Sequence, residues 1–229
     1  MTTTEPTSTP AITSAPNGPL IVTGNVPLYR RTAIHSEHGE PLTWTTDEQY
    51  ETGEKYRLCR CGESTKKPFC DGSHNAAGFE TTDTAASTYA ERSHSLGGTG
   101  ITVTDDRSIC VHAGFCGTRL TNVWKEVGAT EESTVRANVI AMIERCPSGA
   151  LTYSMDGITA VEPLLATAIA VTNNGPLWVT GGVALTDANG IALETRNRVT
   201  LCRCGHSANK PLCDGSHKEA GFRDEPEAT

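Results

Sequence analysis

Cys59, Cys61, Cys70 and His74 stand in the order C-x-C-x8-C-x3-H, and Cys202, Cys204, Cys213 and His217 repeat it at a constant offset of 143 residues (59 to 202, 74 to 217). The surrounding words repeat as well. Cys59-Arg60-Cys61-Gly62 answers to Cys202-Arg203-Cys204-Gly205, and Cys70-Asp71-Gly72-Ser73-His74 to Cys213-Asp214-Gly215-Ser216-His217. Three thiolates and one imidazole gathered at one point make a metal site, so the chain carries at least two. Thiolates are soft, electron-rich donors that suit ferric iron and sulfide; a neutral imidazole in place of one removes negative charge and raises a reduction potential. Imidazole also titrates near neutral pH, so it can couple electron gain to proton gain and is released more readily than a fourth thiolate.

In both copies the Cys-Asp-Gly-Ser-His word, the upstream Cys-x-Cys and the proline before the third cysteine (Pro68, Pro211) resemble the CDGSH iron-sulfur family. The resemblance implies a 2Fe-2S cluster at each copy. Cys59 and Cys61 would bind one iron and Cys70 with His74 the other; in the second copy the sets are Cys202 with Cys204, and Cys213 with His217. Tetrahedral zinc takes the same Cys3His donors and stays as the alternative, although zinc modules space their paired ligands more widely than C-x-C. Asp71-Gly72-Ser73 and Asp214-Gly215-Ser216 read as helix starts with amides free to face an anionic cluster. Lys66, Lys67 and Lys210 either offset its charge or are solvated loop residues.

Six of the nine cysteines belong to these repeats, leaving Cys110, Cys116 and Cys146. Their pattern, C-x5-C followed at a distance by Cys146-Pro147, resembles single-cluster bacterial ferredoxins, whose run is C-x2-C-x2-C with a distant Cys-Pro. Ala113 occupies the middle position of that run. The resemblance therefore implies a 3Fe-4S cluster, or a 4Fe-4S cluster with His112 or solvent on the odd iron. Three buried structural cysteines are the plainer reading.

Around these ligands the apolar pattern predicts the elements that hold them. Val135, Val139, Met142 and Ile143 mark one face of a helix over 131–145 that leads to Cys146, with Glu131 and Glu132 in its first turn, Arg145 in its last, and Pro147 ending it. Leu120, Val123, Trp124 and Val127 predict a shorter helix after Cys116, and strands are expected at 101–104, 108–111, 150–153 and 158–161. Asn17-Gly18-Pro19-Leu20 recurs as Asn174-Gly175-Pro176-Leu177 at an offset of 157, so the first copy carries 14 extra residues, placed within 30–52 as a long hairpin or loop.

The expected fold is α+β: two small β-rich CDGSH modules that form an internal pseudo-dimer, with an α+β ferredoxin-like domain inserted between them. A module of this size has little core of its own, and pairing the repeats would cover strand edges. The boundaries are 1–16 as a disordered tail, 17–81 as the first module, 82–171 as the single-cluster domain and 172–225 as the second module, with 224–229 as a second tail. Whole-chain dimerisation stays open.

A net charge of −8 argues against nucleic acid and anionic membranes as partners. No run reaches the length of a membrane span, and cysteines all committed to clusters leave none for disulfides, which points to the cytoplasm. No phosphate-binding glycine loop, positioned nucleophile or flavin or nicotinamide fingerprint is present, so no enzyme is expected. His206 beside Cys204 is expected to be solvated, as are His35, His38 and His94. The functional expectation is an electron carrier with three clusters serving redox partner proteins. The alternatives are cluster storage and transfer to apo iron-sulfur acceptors, and a redox or pH sensor.

Overall fold

A computed structural model describes residues 8–84 and 87–224. The first repeat supplies five strands, β1 (Ala11–Ser14), β2 (Leu20–Thr23), β3 (Leu28–His35), β4 (Pro41–Tyr50) and β5 (Lys55–Leu58). The insert supplies β6 (His94–Gly98), β7 (Ile101–Asp105), β8 (Leu151–Ser154) and β9 (Ala160–Val161), and the second repeat β10 (Ala168–Thr172), β11 (Leu177–Thr180), β12 (Ala184–Thr186) and β13 (Arg198–Leu201). Helices are few and mostly short: α1 (Ser73–Ala76), α2 (Tyr89–Arg92), α3 (Val123–Glu126) and α4 (Ser133–Glu144). The result is a β-rich α+β chain.

The two repeats trade a strand. One sheet runs β12-β1-β2-β5 and the other β13-β11-β10-β3-β4, so β12 lies parallel to β1, and β3 lies parallel to β10. Each exchanged strand covers an edge that its host sheet would otherwise leave unpaired. A single hydrophobic core joins the halves, with Ile12, Leu20, Val22, Leu28 and Leu58 packed among Ile169, Val171, Leu177, Val179, Val199 and Leu201. The insert has a separate core, in which Val139, Met142 and Ile143 of α4 meet Ile101, Val103, Leu151 and Tyr153 of its own antiparallel sheet.

Several expectations change in detail. The tail predicted over 1–16 gives way at Ala11–Ser14 to β1, because Ile12 is buried in the shared core; residues 1–7 lie outside the described residues. The 82–171 boundary cuts through β10, which belongs to the second repeat's sheet, and the insert's own sheet spans 94–161. Asp224, expected in the C-terminal tail, has its side chain buried against Arg203, while 225–229 lie outside the described residues. The strand expected at 108–111 does not form; a 3-10 turn occupies Arg107–Ile109, because Asp106 accepts from the Ser108 backbone N–H and curls the chain. Leu120 is 90% exposed and stands outside α3, which starts at Val123 after the Asn122 side chain caps Lys125 N–H. The 14 extra residues fall within the β3–β4 hairpin.

Candidate metal centres

Each C-x-C step lies just past the last strand of a repeat. Cys59 follows β5 and Cys202 follows β13, and their N–H groups donate to Pro68 and Pro211 carbonyls at 2.8 and 2.9 Å, which folds the ligand loop back over the strand. Cys70 and Cys213 are anchored the same way by Arg57 and Thr200 carbonyls. Asp71 and Asp214 then clamp the loop. Asp71 accepts from Ser73 N–H and Oγ and from Thr65 N–H and Oγ1, and Asp214 accepts from Ser216 and from Ala208 N–H. These aspartates bind loop donors rather than capping a helix; α1 begins after Gly72 without a side-chain cap, and the second copy makes turns there.

The ligands arrive in close pairs. Cys59 Sγ and Cys61 Sγ are 3.7 Å apart, and Cys202 Sγ and Cys204 Sγ 3.8 Å. Cys70 Sγ lies 3.4 Å from His74 Nδ1, and Cys213 Sγ 3.5 Å from His217 Nδ1. Two sulfurs about 2.3 Å from a shared tetrahedral metal are about 3.8 Å apart, and a sulfur and a nitrogen about 3.5 Å. All four spacings fit, and they identify Nδ1 as the donor atom of each imidazole. Among the described residues no three His, Cys, Asp or Glu side chains gather tightly enough for a single ion, so the donor set suits one metal per pair.

Burial and shared protons set the protonation of the candidate ligands, and a metal would have to displace the proton of each raised thiol. In each C-x-C pair the first thiol, Cys59 or Cys202, is held down because its neighbour donates to it, and Cys61 or Cys204 is raised in turn. Burial pushes the Cys213 thiol up to about 12 and the His217 imidazole down to about 4, which keeps that ring in its neutral, metal-binding form.

Two buried arginines that the ligand pattern alone does not flag organise these loops. Arg60 and Arg203, each between the two cysteines of a C-x-C step, are 2% and 1% exposed. Arg60 donates to the Gly18 and Ala15 carbonyls and pairs with Asp83 at 2.9 Å; Arg203 donates to the Gly175 and Thr172 carbonyls and pairs with Asp224 at 3.0 Å. The signal was present in the sequence, as an arginine repeated at the ligand offset.

The third set lines a cavity of about 190 Å³ formed by Cys110, Cys116 and Cys146 with Val111, Ala113, Phe115 and Leu151. A water occupies about 30 Å³, so the space exceeds what one ion needs. Burial raises the Cys116 thiol, reinforced by Cys146 and Cys110. Arg198, fully buried at the start of β13, donates to the Ile143 carbonyl at 2.7 Å and the Cys146 carbonyl at 2.9 Å, and pairs with Glu162 at 2.7 Å. A cation at the end of α4 both satisfies carbonyls and fixes Cys146. His112, at φ +54, lines this cavity and a second one of about 310 Å³ that includes Trp44, Ala113, His217 and Lys218.

The three sets differ in what covers them. The hairpin of the first repeat packs on the insert, with Trp44 stacked on Phe115 at 5.1 Å and the Arg119 N–H donating to Glu40. The second ligand loop is also tied to the insert, through Asn209 Nδ2 to the Ser108 carbonyl at 3.3 Å and Lys218 Nζ to the His112 carbonyl. Among the described residues, no hydrogen bond joins 62–78 to the insert. The two C-x-C steps meet each other: Cys61 and Cys204 form an antiparallel bridge, with Gly62 and Gly205 packed on the opposite cysteine carbonyls. His206 is exposed, its Nδ1 2.8 Å from the Cys204 carbonyl.

Residues 17–75 and 174–218 match the family described as iron-binding zinc finger, CDGSH type, and residues 96–156 match the family described as divergent 4Fe-4S mono-cluster. No curated protein matches the chain. No helix among the described residues is long and apolar enough to cross a membrane, and all nine cysteines are free of disulfides.

Proposed function

We propose that this iron-sulfur protein, two CDGSH segments around a mono-cluster insert, carries single electrons between redox partner proteins in the cytoplasm and is not itself an enzyme. The reading gives 2Fe-2S groups to Cys59, Cys61, Cys70 and His74 and to Cys202, Cys204, Cys213 and His217, and it treats the exchanged strands as an internal pseudo-dimer. Cys110, Cys116 and Cys146 hold the third group in a ferredoxin-like insert. The description of the matching family favours 4Fe-4S there, whereas Ala113 in place of a ligand favours 3Fe-4S. When bound, such groups supply reversible one-electron chemistry. The division of each set into two pairs supports the reading, because the pair spacings fit any tetrahedral metal, whereas a single zinc ion needs three or more of these side chains gathered at one point, and among the described residues none are.

Anaerobic redox titration followed by EPR, with iron and sulfide quantified on the same sample, tests this. Three reversible one-electron steps are expected, with about seven irons per chain for 3Fe-4S or about eight for 4Fe-4S. Colourless protein holding one zinc per Cys3His set would overturn it. Cluster delivery is a second reading, favoured by the part-exposed Cys70 and His74. It requires that His74→Cys suppress transfer to an apo-ferredoxin.

A further inference from the structure

The three ligand sets touch in one order. The insert meets the second loop at its ligand-bearing backbone: a Cβ placed on Gly215 would fall 2.6 Å from His112 Cδ2 and 3.0 Å from the Cys110 carbonyl oxygen. The equivalent point on Gly72 has nothing within 4 Å. The second loop meets the first through the Cys61–Cys204 bridge, where a Cβ on Gly62 or Gly205 would fall 2.7 or 2.6 Å from the facing carbonyl oxygen. Exposure follows the same order. Cys213 and His217 are 1% and 5% exposed, whereas Cys70 and His74 at one end, and Cys110, Cys116 and Cys146 at the other, are part-exposed.

Building on the carrier reading, we propose that the sets work in series, with Cys202, Cys204, Cys213 and His217 as a shielded middle station between two surface terminals: Cys110, Cys116 and Cys146 in the insert, and Cys59, Cys61, Cys70 and His74 in the first loop. One electron enters at one terminal from a reduced flavoprotein or iron-sulfur protein and leaves at the other to an oxidised protein of the same class. A cluster held by the middle set would take up that electron and pass it on. Gly215, with no side chain, allows the Cys110 carbonyl and the His112 ring to lie against the second loop, and the Cys61–Cys204 bridge completes the line. The three sets would then divide the work by position: two that exchange electrons with partners, and one that does not.

The test is EPR power saturation on the full chain reduced with dithionite. His74→Cys and His217→Cys each alter one of the two Cys3His signals and so assign them. Removing the insert's centre with Cys116→Ser is expected to slow relaxation of the His217-assigned signal and leave the His74-assigned signal unchanged. Gly72→Ala and Gly215→Ala form a second, independent pair, because both residues sit at φ +93 and share the same backbone strain. Only Gly215→Ala meets the insert, so only it is expected to lose the relaxation enhancement. Equal responses of the two signals, or a response of the His74 signal alone, would overturn the series. Absence of reversible one-electron reduction in the titration would instead overturn the carrier reading on which it rests.

Discussion

The first and second ligand loops hold the same four ligands at the same spacings, within about 0.1 Å for each pair, yet only the second is closed over. Arg198 stands where the first repeat has Lys55, and this exchange ties β13 to the end of α4 while the start of β5 stays exposed. Lys218 and Asn209 add hydrogen bonds to the insert at positions the first repeat fills with Asn75 and Lys66. Identical donor sets thus acquire different surroundings through a few residues outside the ligand pattern. Solvent access and local polarity, which tune potential and metal release, follow from those residues.

The largest effect is expected where the two halves differ most. Arg198→Ala strands the Ile143 and Cys146 carbonyls and Glu162, and should cost about 3–5 kcal/mol in urea unfolding together with loss of the insert's centre. Lys55→Ala should leave the unfolding midpoint unchanged. Equal behaviour of the two would mean that the insert is not held by β13.

Next come Gly62→Ala and Gly205→Ala. Both residues lie at positive φ against the facing cysteine carbonyl, so each should destabilise by about 1–3 kcal/mol and by similar amounts. Matching losses in thermal unfolding would show that the halves are equivalent at their contact, and that their asymmetry begins only at the insert. A one-sided loss would break that comparison.

Acid sensitivity gives a smaller effect. Burial works against the Asp224 carboxylate, but Arg203 and the Asn174 N–H outweigh it and hold the group below the usual carboxylate range. A folded-state value below the unfolded one means that this contribution is complete above about pH 4 and is lost as pH falls through the folded value. Asp224→Asn should therefore lower stability at pH 7 and flatten the acid limb of an unfolding curve below about pH 4. An unchanged acid limb would remove Asp224 as its source. Smallest of all is His206→Gln, where an exposed ring meets the Cys204 carbonyl; a change of about 0.5 kcal/mol or less is expected.

Much of this was legible in the chain itself. The ligands, the helix before Cys146 and the repeat all carry local signals, and α4 differs from its expected span only at the ends. The repeat even extends to β1, since Ala11-Ile12 answers to Ala168-Ile169 at the 157 offset, but a Thr/Ser/Pro-rich setting masked it. A four-residue strand with one buried isoleucine is not distinguishable from tail by composition. Arg60 and Arg203 were visible as a repeat, although nothing local says that a charged side chain will be buried against carbonyls 28 to 45 residues away.

Residue type and spacing determined which residues are candidates to bind metal and that they fall into three sets, because ligation chemistry resides in the side chains and loops of this length can bring them together. Tertiary structure alone decided which set is shielded and which is open. The contacts responsible join residues more than a hundred positions apart, Asn209 to Ser108 and Lys218 to His112, so no local run of residues carries a sign of them.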